Sequence, residues 1–599
     1  MSRINKVCVI GGGVMGAGIA AHVSNAGIPV VLLDIVPAGA EDRDAIAKGA
    51  IEKLLKADPA PLMHRRNAKL ITPGNTEDHM DLLGQCDWII EAVIENLEIK
   101  SALYARIDKY RKPGAIVSSN TSTLPLKDLS EGMSDGLAKD FLITHFFNPP
   151  RYMRLLEIVT GEKTSPQVAD AVATFADRML GKGVVKAKDQ PGFIANRIGT
   201  YWLQCAVIEA MDGGLTVEEA DAVIGRPLGI PKTGVFGLLD LVGLDLMPHV
   251  LASLGDALPP GDPFHQVHRE PDLFKKMIAE GYTGRKGKGG FYRLNTGSGK
   301  RIKEALDLKT GEYRTAFKPK FSSIKKARKK GLRALFEHGD AASAYARTVM
   351  FKTLAYAAAV APEIAENLAA LDQAMRLGYN WKRGPFQMID EVGAKWLGQE
   401  LEKDGIAVPE LLSKVGDGTF YRFKNNREQY FTFAGDYADV PRPPGVLTLT
   451  DVKRGIQPLA KNGSASLWDI GDGVACLEFH SKMNAIGPGT LKMIETAVRT
   501  LPGLGFKALV IHNEGSNFSV GANLGLVLIV AVFRAWFLIN WFIGKGQKAY
   551  MGLKFAPFPV IGAPSGMALG GGCEILLHCD AVQAHGETYM GLVEAGVGI

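Results

Sequence analysis

The chain has 599 residues, 46% of them hydrophobic and 22% charged, with a formal net charge of +6. Such a length suits three or four domains, each able to bury its own core, and excludes a peptide or a stapled mini-fold. The small positive excess does not indicate nucleic acid as a partner but suits anionic substrates, and the six scattered cysteines form no Cys-x-x-Cys pair, so neither a disulfide framework nor a metal site is indicated.

The N-terminus enters a strand directly, with no basic segment and apolar run before a cleavage site, so no secretory signal is expected and a reducing, cytoplasmic location fits. Val7-Cys8-Val9-Ile10 is a continuous apolar run of the kind found in buried parallel strands, and it meets Gly11-Gly12-Gly13-Val14-Met15-Gly16 at once. In this Gly-x-Gly-x-x-Gly pattern Gly11 allows a tight turn, Gly13 lets a pyrophosphate approach the backbone, and Gly16 lets the next helix, Ala17 to Ala26, pack closely. The amino end of that helix then faces the phosphates. A second strand, Val30 to Leu33, ends at Asp34, 18 residues beyond Gly16. An acid there accepts hydrogen bonds from a ribose and repels a 2′-phosphate, so NAD is expected over NADP.

Strands Trp88 to Val93 and Ala115 to Ser119 follow, the second opening onto Asn120-Thr121-Ser122-Thr123. In a doubly wound sheet ligands lie beyond the carboxyl ends of the strands, where Glu95, Lys100, Ser122 and His145 all fall. The Ser122 hydroxyl can hold a substrate oxygen or cap a helix before Leu124, and neither role excludes the other. The strand Phe141 to Thr144 delivers His145 at its end, a Pro149-Pro150 turn breaks the run, and Leu155 to Val159 reads as the next strand. So short a connection brings the Glu157 carboxylate within reach of the imidazole, a pairing that fixes a His tautomer and makes it a general base.

Asn120-Thr121-Ser122, His145-Phe146-Phe147-Asn148-Pro149, Glu157 and Asp189-Gln190-Pro191-Gly192-Phe193-Ile194-Ala195-Asn196-Arg197 resemble the signature of L-3-hydroxyacyl-CoA dehydrogenases. The resemblance implies His145 as catalytic base, Glu157 as its orienting partner, and Ser122 and Asn196 on the substrate oxygen. It implies Glu95, Lys100, Asn148 and Lys286 as NAD contacts beside Gly11, Gly13, Gly16 and Asp34. Acyl-CoA thioesters are the implied substrates, with a homo-oligomer or association with a thiolase left open.

From Gly192 to about Tyr292 the pattern turns helical, and it closes on Gly284-Arg285-Lys286-Gly287-Lys288-Gly289-Gly290-Phe291-Tyr292. Arg197 and Asp240 lie 43 positions apart, as do Arg347 and Asp390; Gly234 to Gly243 reappears as Gly384 to Gly393, and Phe291-Tyr292 as Phe420-Tyr421. This is an internal duplication. The second copy has Ala346 where the first has Asn196, so it is expected to pack on the first copy instead of binding substrate. Between the copies, Lys325-Lys326-Ala327-Arg328-Lys329-Lys330 reads as a solvated face.

Pro441 to Gly445 marks a linker, after which short strands begin a new domain. Phe518-Ser519-Val520-Gly521-Ala522-Asn523 and Gly566-Met567-Ala568-Leu569-Gly570-Gly571-Gly572-Cys573-Glu574 resemble the two loops of the crotonase (enoyl-CoA hydratase) family. The match implies Ala522 and Gly571 as backbone donors to a thioester oxygen, and Glu574 and Glu594 as the hydratase acid–base pair. Leu524 to Ile543 is apolar over a transmembrane length, interrupted by Arg534 and Asn540. A span would separate Ala522 from Glu574, so a buried or tunnel-lining helix is expected ahead of a peripheral membrane contact.

The expected whole is an α/β protein. A Rossmann NAD-binding domain takes 1–188, a helical substrate domain 189–295, a basic linker 296–340, a degenerate helical repeat 341–440, a Pro-rich linker 441–463, and an incomplete crotonase-like domain 464–599. The expected function is NAD-dependent oxidation of L-3-hydroxyacyl-CoA in fatty-acid β-oxidation, coupled to hydration of trans-2-enoyl-CoA. The alternative is a dehydrogenase whose C-terminal segment serves assembly or membrane docking.

Overall fold

Val7–Ile10 (β1) is buried along its whole length in the computed structural model of the chain, which describes residues 4–297, 299–522, 524–594 and 596. With Val30–Asp34 (β2), Ile71–Asn75 (β3), Trp88–Glu91 (β4), Ile116–Ser119 (β5), Phe141–Phe146 (β6), Leu155–Val159 (β7) and Gly183–Ala187 (β8), it forms one sheet in the order β3-β2-β1-β4-β5-β6-β7-β8. Val7 and Val9 enter one apolar core and Cys8 and Ile10 another, so both faces are covered, the condition under which unbroken apolar strands run parallel. The β6–β7 pair alone among these is antiparallel. The helix after the glycine loop (α1) spans Val14–Asn25 and starts three residues earlier than the expected Ala17, because Gly13 in extended backbone already serves as its N-cap. The turn leaving β6 seats Pro150 on α1, where a Cβ on Gly18 would stand 2.9 Å from the proline ring.

The two helical copies lie in the same compact unit as this sheet, which comprises residues 1–422 and 429–438. Helix Ala195–Asp212 of the first packs along helix Ala341–Ile364 of the second. Tyr201 stacks on Tyr356 with centroids 4.0 Å apart, Tyr345 donates to the Ala206 carbonyl at 2.7 Å, and Lys352 meets Glu209 at 2.5 Å. The duplication is repeated in hydrogen bonding. Asp221 accepts from the amides of Val235, Phe236 and Gly237, and Asp372 from those of Phe386 and Gln387. Asp240 holds the amides of Phe291 and Tyr292, and Asp390 those of Phe420 and Tyr421.

The described residues of 296–340, a stretch read from the sequence as a linker, are largely folded. Tyr292–Asn295, Ile302–Leu306 and Tyr313–Thr315 make an antiparallel sheet, and Ser322–Lys330 is a helix with Ser323 and Ala327 inward and the basic run exposed. Their polarity had masked a narrow apolar stripe that ends in buried Leu332, Leu335 and Phe336.

The second unit, residues 423–428 and 439–599, holds a six-stranded sheet in the order Ala460–Lys461, Ala465–Asp469, Val474–Phe479, Ala508–Ile511, Val560–Gly562, Ala581–Val582. A parallel three-stranded sheet, Asn517–Ser519, Met567–Leu569 and Tyr589–Gly591, stands apart from it. Part of the expected 441–463 linker is helical, Leu449–Gly455, and Glu514 accepts from the Leu449 and Thr450 amides at its start. The buried or tunnel-lining helix expected over Leu524–Ile543 is not what forms. Two helices, Leu524–Val532 and Trp536–Lys554, meet at Arg534 (φ 53°), and Val532, Phe533 and Phe537 are 71%, 78% and 72% exposed. Of the second helix, Gly546, Ala549, Tyr550 and Leu553 are buried and Phe542 packs on the core partly buried, while the residues around Trp536 and Phe537 stay exposed. Among the described residues no single helix is long and apolar enough to cross a membrane. Asn523 of the Phe518–Asn523 motif, and residues 595 and 597–599 of the expected last domain, lie outside the described residues.

Candidate functional site

In the antiparallel β6–β7 pair His145 stands directly across from Glu157. Their side chains meet at 2.7 Å, Nδ1 to Oε2, with Glu157 fully buried. A carboxylate accepts hydrogen bonds, so the contact suits a His145 that donates from Nδ1 and turns Nε2 away from Glu157. The other oxygen of Glu157 accepts from the amides of Ile194 (3.1 Å) and Ala195 (2.8 Å), at the start of helix Ala195–Asp212. Gly192 and Phe193, with φ of 74° and 49°, turn the chain so that these two amides point at the carboxylate. Glu157 therefore ties the imidazole to the end of the helix on which Asn196 is the second residue. Phe147 and Phe193 flank the His145 ring at 4.5 and 5.7 Å, making one wall of the site apolar.

The glycine loop follows the carboxyl end of β1, at the same edge of the sheet at which His145 closes β6, because β1, β4, β5 and β6 run parallel. A Cβ on Gly16 would stand 1.8 Å from the Gly11 carbonyl, and Gly11 itself has φ of 111° and lies against the Ala92 carbonyl. Gly13, by contrast, faces open space, with nothing within 4 Å of a Cβ built there. The result is an open cradle at the amino end of α1, lined by first-turn amides. Asp34 accepts from the Gly12 amide at 2.5 Å and holds the end of β2 beside that cradle. A dinucleotide fits this arrangement: backbone donors for the pyrophosphate and a carboxylate one strand over for the ribose.

Between the cradle and His145 runs a buried polar network that the sequence reading missed. Glu91, at the end of β4 and fully buried, accepts from Lys100 (2.7 Å), Tyr104 (2.6 Å), Ser119 (2.7 Å) and the Val93 amide (2.7 Å). Its signal was a single acid closing the apolar run Trp88-Ile89-Ile90. Lys100 is 1% exposed and also meets Glu95 at 3.2 Å. Glu95 in turn accepts from the Ser122 amide (3.1 Å), the Thr123 amide (3.3 Å) and the Thr121 hydroxyl; Lys100 beside it holds its carboxyl below the usual range despite burial. The Ser122 loop thus hangs on Glu95, Lys100 and Glu91. Asn120 accepts from the Phe146 amide at 2.9 Å, joining that loop to the strand of His145.

Of the remaining sequence candidates, Asn196 and Ser122 are half-buried and Asn148 is exposed at the end of β6. Lys286 is exposed on the loop Gly284–Gly290, whose glycines close over Asp240; a Cβ on Gly290 would stand 1.9 Å from its carboxylate.

In the second unit, Ala522, Gly571 and Glu594 follow the carboxyl ends of the three parallel strands Asn517–Ser519, Met567–Leu569 and Tyr589–Gly591. Gly521 packs against the Leu569 carbonyl and the Gly571 amide. A Cβ on Gly570 would stand 2.5 Å from Glu594, and one on Gly571 3.5 Å from Glu574, so both carboxylates border the same glycine turn. Partial burial raises the Glu574 carboxyl above its ordinary value, and the nearby Glu594 charge raises it further.

Residues 6–190 match the NAD binding domain of 3-hydroxyacyl-CoA dehydrogenase, and residues 192–294 its C-terminal domain. The chain is 42% identical over 619 residues to a probable 3-hydroxyacyl-CoA dehydrogenase of Bacillus subtilis, covering 100% of this chain and 77% of that one. It is 34% identical over 601 residues to a Rickettsia prowazekii protein named a trifunctional enzyme of a fatty acid oxidation complex, covering 100% and 79%. The crystal structure of 3-hydroxybutyryl-CoA dehydrogenase from Escherichia coli shares the fold, at a TM-score of 0.51 and 21% identity, over 69% of this chain and 98% of that one. The chain belongs to the 3-hydroxyacyl-CoA dehydrogenase family, NAD-dependent enzymes of fatty-acid oxidation that act on acyl-CoA substrates.

Proposed function

We propose that His145 is the base of the dehydrogenase reaction, and that the second unit supplies its substrate by hydrating a trans-2-enoyl-CoA. The observation that carries the first part is the 2.7 Å contact of His145 with buried Glu157. With Nδ1 occupied, Nε2 takes the hydroxyl proton of an L-3-hydroxyacyl-CoA, and Glu157 stabilises the imidazolium that forms. Asn196 and Ser122 hold the substrate oxygen, one from the helix end that Glu157 anchors and one from the loop that Glu95 anchors. Gly11, Gly13, Gly16 and Asp34, with Glu95, Lys100, Asn148 and Lys286 as further contacts, would hold NAD, which would supply the acceptor for the C3 hydride. The product is a 3-ketoacyl-CoA.

In the hydratase step water adds its oxygen to C3 of the enoyl thioester and C2 gains a proton. Glu574 and Glu594 share that proton traffic, and the Ala522 and Gly571 amides hold the thioester oxygen as charge builds on it. The support is the meeting of both acids and both loops at one set of strand ends, and the family resemblance of the loops. A thiolase would consume the ketoacyl product, so association with one, in the cytoplasm and in step with the six unpaired cysteines, belongs to the same reading.

The test is NADH formation by the purified chain from an enoyl-CoA and, in parallel, from a 3-hydroxyacyl-CoA. Both substrates yield NADH if both sites work. Activity on the hydroxyacyl-CoA alone removes the hydratase step and leaves the second unit with an assembly or docking role. Full activity in His145→Ala would remove His145 as the base.

A further inference from the structure

The segment from Leu524 to Ile543 takes no part in either site. Helix Leu524–Val532 and the first half of helix Trp536–Lys554 form a hairpin in which residues 525 and 528–545 are all exposed or half-buried. Leu528, Ile529, Val532 and Phe533 on one arm, and Trp536, Phe537, Trp541 and Ile543 on the other, are 51–78% exposed. The turn is well made. Arg534 takes the left-handed conformation, its amide donates to Ala531 at 2.9 Å, and the Ala535 amide donates to Val530 at 3.1 Å, which closes the first helix.

A surface helix of a globular protein confines its apolar residues to one stripe, whereas a helix apolar all round needs apolar surroundings on every side. A protein partner seated on one face would leave the other faces of this hairpin in water. Charge narrows the choice further. Between Glu514 and Glu574 there is no Asp or Glu, while Arg534, Lys545, Lys548 and Lys554 all fall in that interval; Lys545 also faces Glu495 at 4.0 Å. Aromatic residues with basic ones around them are what the headgroup region of an anionic bilayer selects. The nine residues of the first arm reach only ~14 Å, far short of the ~30 Å hydrocarbon layer, so the hairpin is too short to cross. Cations at its turn (Arg534) and at its base (Lys545, Lys548) suit a hairpin lying along the interface with both ends at the phosphates.

We propose that this hairpin seats the second unit on an anionic phospholipid surface, with Phe533, Trp536, Phe537 and Trp541 in the interfacial layer and Arg534, Lys545 and Lys548 at the phosphates. The inference stands apart from the hydratase reading and does not need that site to be active.

The test uses the 599-residue chain with vesicles of phosphatidylcholine alone and of phosphatidylcholine carrying phosphatidylglycerol. Co-sedimentation is expected with the anionic vesicles, weakened by salt and by omission of phosphatidylglycerol, together with a blue shift of tryptophan emission. The double variant Phe533→Ser, Phe537→Ser should lose at least ~tenfold in vesicle affinity. It should keep its circular dichroism and its NADH formation from hydroxyacyl-CoA, which shows that it still folds. Equal binding to neutral and anionic vesicles, or undiminished binding by the double variant, overturns the proposal. So does a chain that ignores vesicles but forms dimers that the double variant dissolves, because a second copy then covers the hairpin.

Discussion

Replacing Glu157 by Gln separates orientation from charge at the His145–Glu157 pair, the proposed catalytic pair. Glutamine preserves the volume of a fully buried side chain, so the packing around it should hold. Its oxygen is required by the Ile194 and Ala195 amides, both of which donate to Oε1 of Glu157. That leaves the amide nitrogen facing His145 Nδ1. A donor there forces the imidazole proton onto Nε2, the atom that has to accept the substrate proton, and no negative charge remains to stabilise an imidazolium. A base locked in the wrong tautomer costs about 10⁴ in kcat, or ~5 kcal/mol of transition-state stabilisation. The assay is NADH formation at saturating NAD and hydroxyacyl-CoA, with KM for each followed separately and folding followed by circular dichroism. The expected result is a collapse of kcat with the KM for NAD nearly unchanged. Glu157→Ala should in addition lower stability by ~1–3 kcal/mol per stranded amide. A loss of less than tenfold in Glu157→Gln, with unchanged pH dependence, would falsify the assignment of Glu157 as the positioning residue.

Gly16→Ala places a methyl group 1.8 Å from the Gly11 carbonyl, so NAD titration by calorimetry should show binding abolished, while Gly13→Ala, into open space, should weaken NAD without unfolding the chain. Tyr356→Phe removes the hydroxyl that accepts from buried Arg197 and donates to Asp262; it should lower stability by ~1–3 kcal/mol in urea titration, and an unchanged midpoint would mean the second helical copy does not support the first through this group. Burial raises Asp221 and Asp372 to about 7 and Asp240 and Asp390 to about 6. Unfolded carboxyls titrate near ~3.9, so the stability tied to these protons is complete below that value and disappears as pH rises through 6 to 7. The urea midpoint should therefore be lower at pH 8 than at pH 5.5, and a midpoint that rises with pH would contradict the burial of these acids.

Much of the first unit was legible because its signals are local. In the Gly-x-Gly-x-x-Gly loop Gly11 and Gly16 meet backbone constraints that only glycine satisfies, and the pairing of His145 with Glu157 follows from a short hairpin with a defined register. The duplication was also readable, since the same aspartates and Phe-Tyr pairs recur and later make the same hydrogen bonds. The Glu91 network was not readable, because its partners Lys100, Tyr104 and Ser119 come from two separate elements that meet only when the sheet is closed. Nor was the second role of Glu157, which depends on where residues 192–195 turn.

The hydrophobic hairpin marks the same boundary from the other side. Composition alone determined that residues 524–543 are apolar, but burial depends on which surfaces meet, and only the tertiary structure showed that Phe542 packs on the core while Val532, Phe533 and Phe537 stay exposed. Local chain geometry wrote the dinucleotide cradle and the His145–Glu157 register into the sequence. Long-range packing decided what holds those groups in place and what remains exposed.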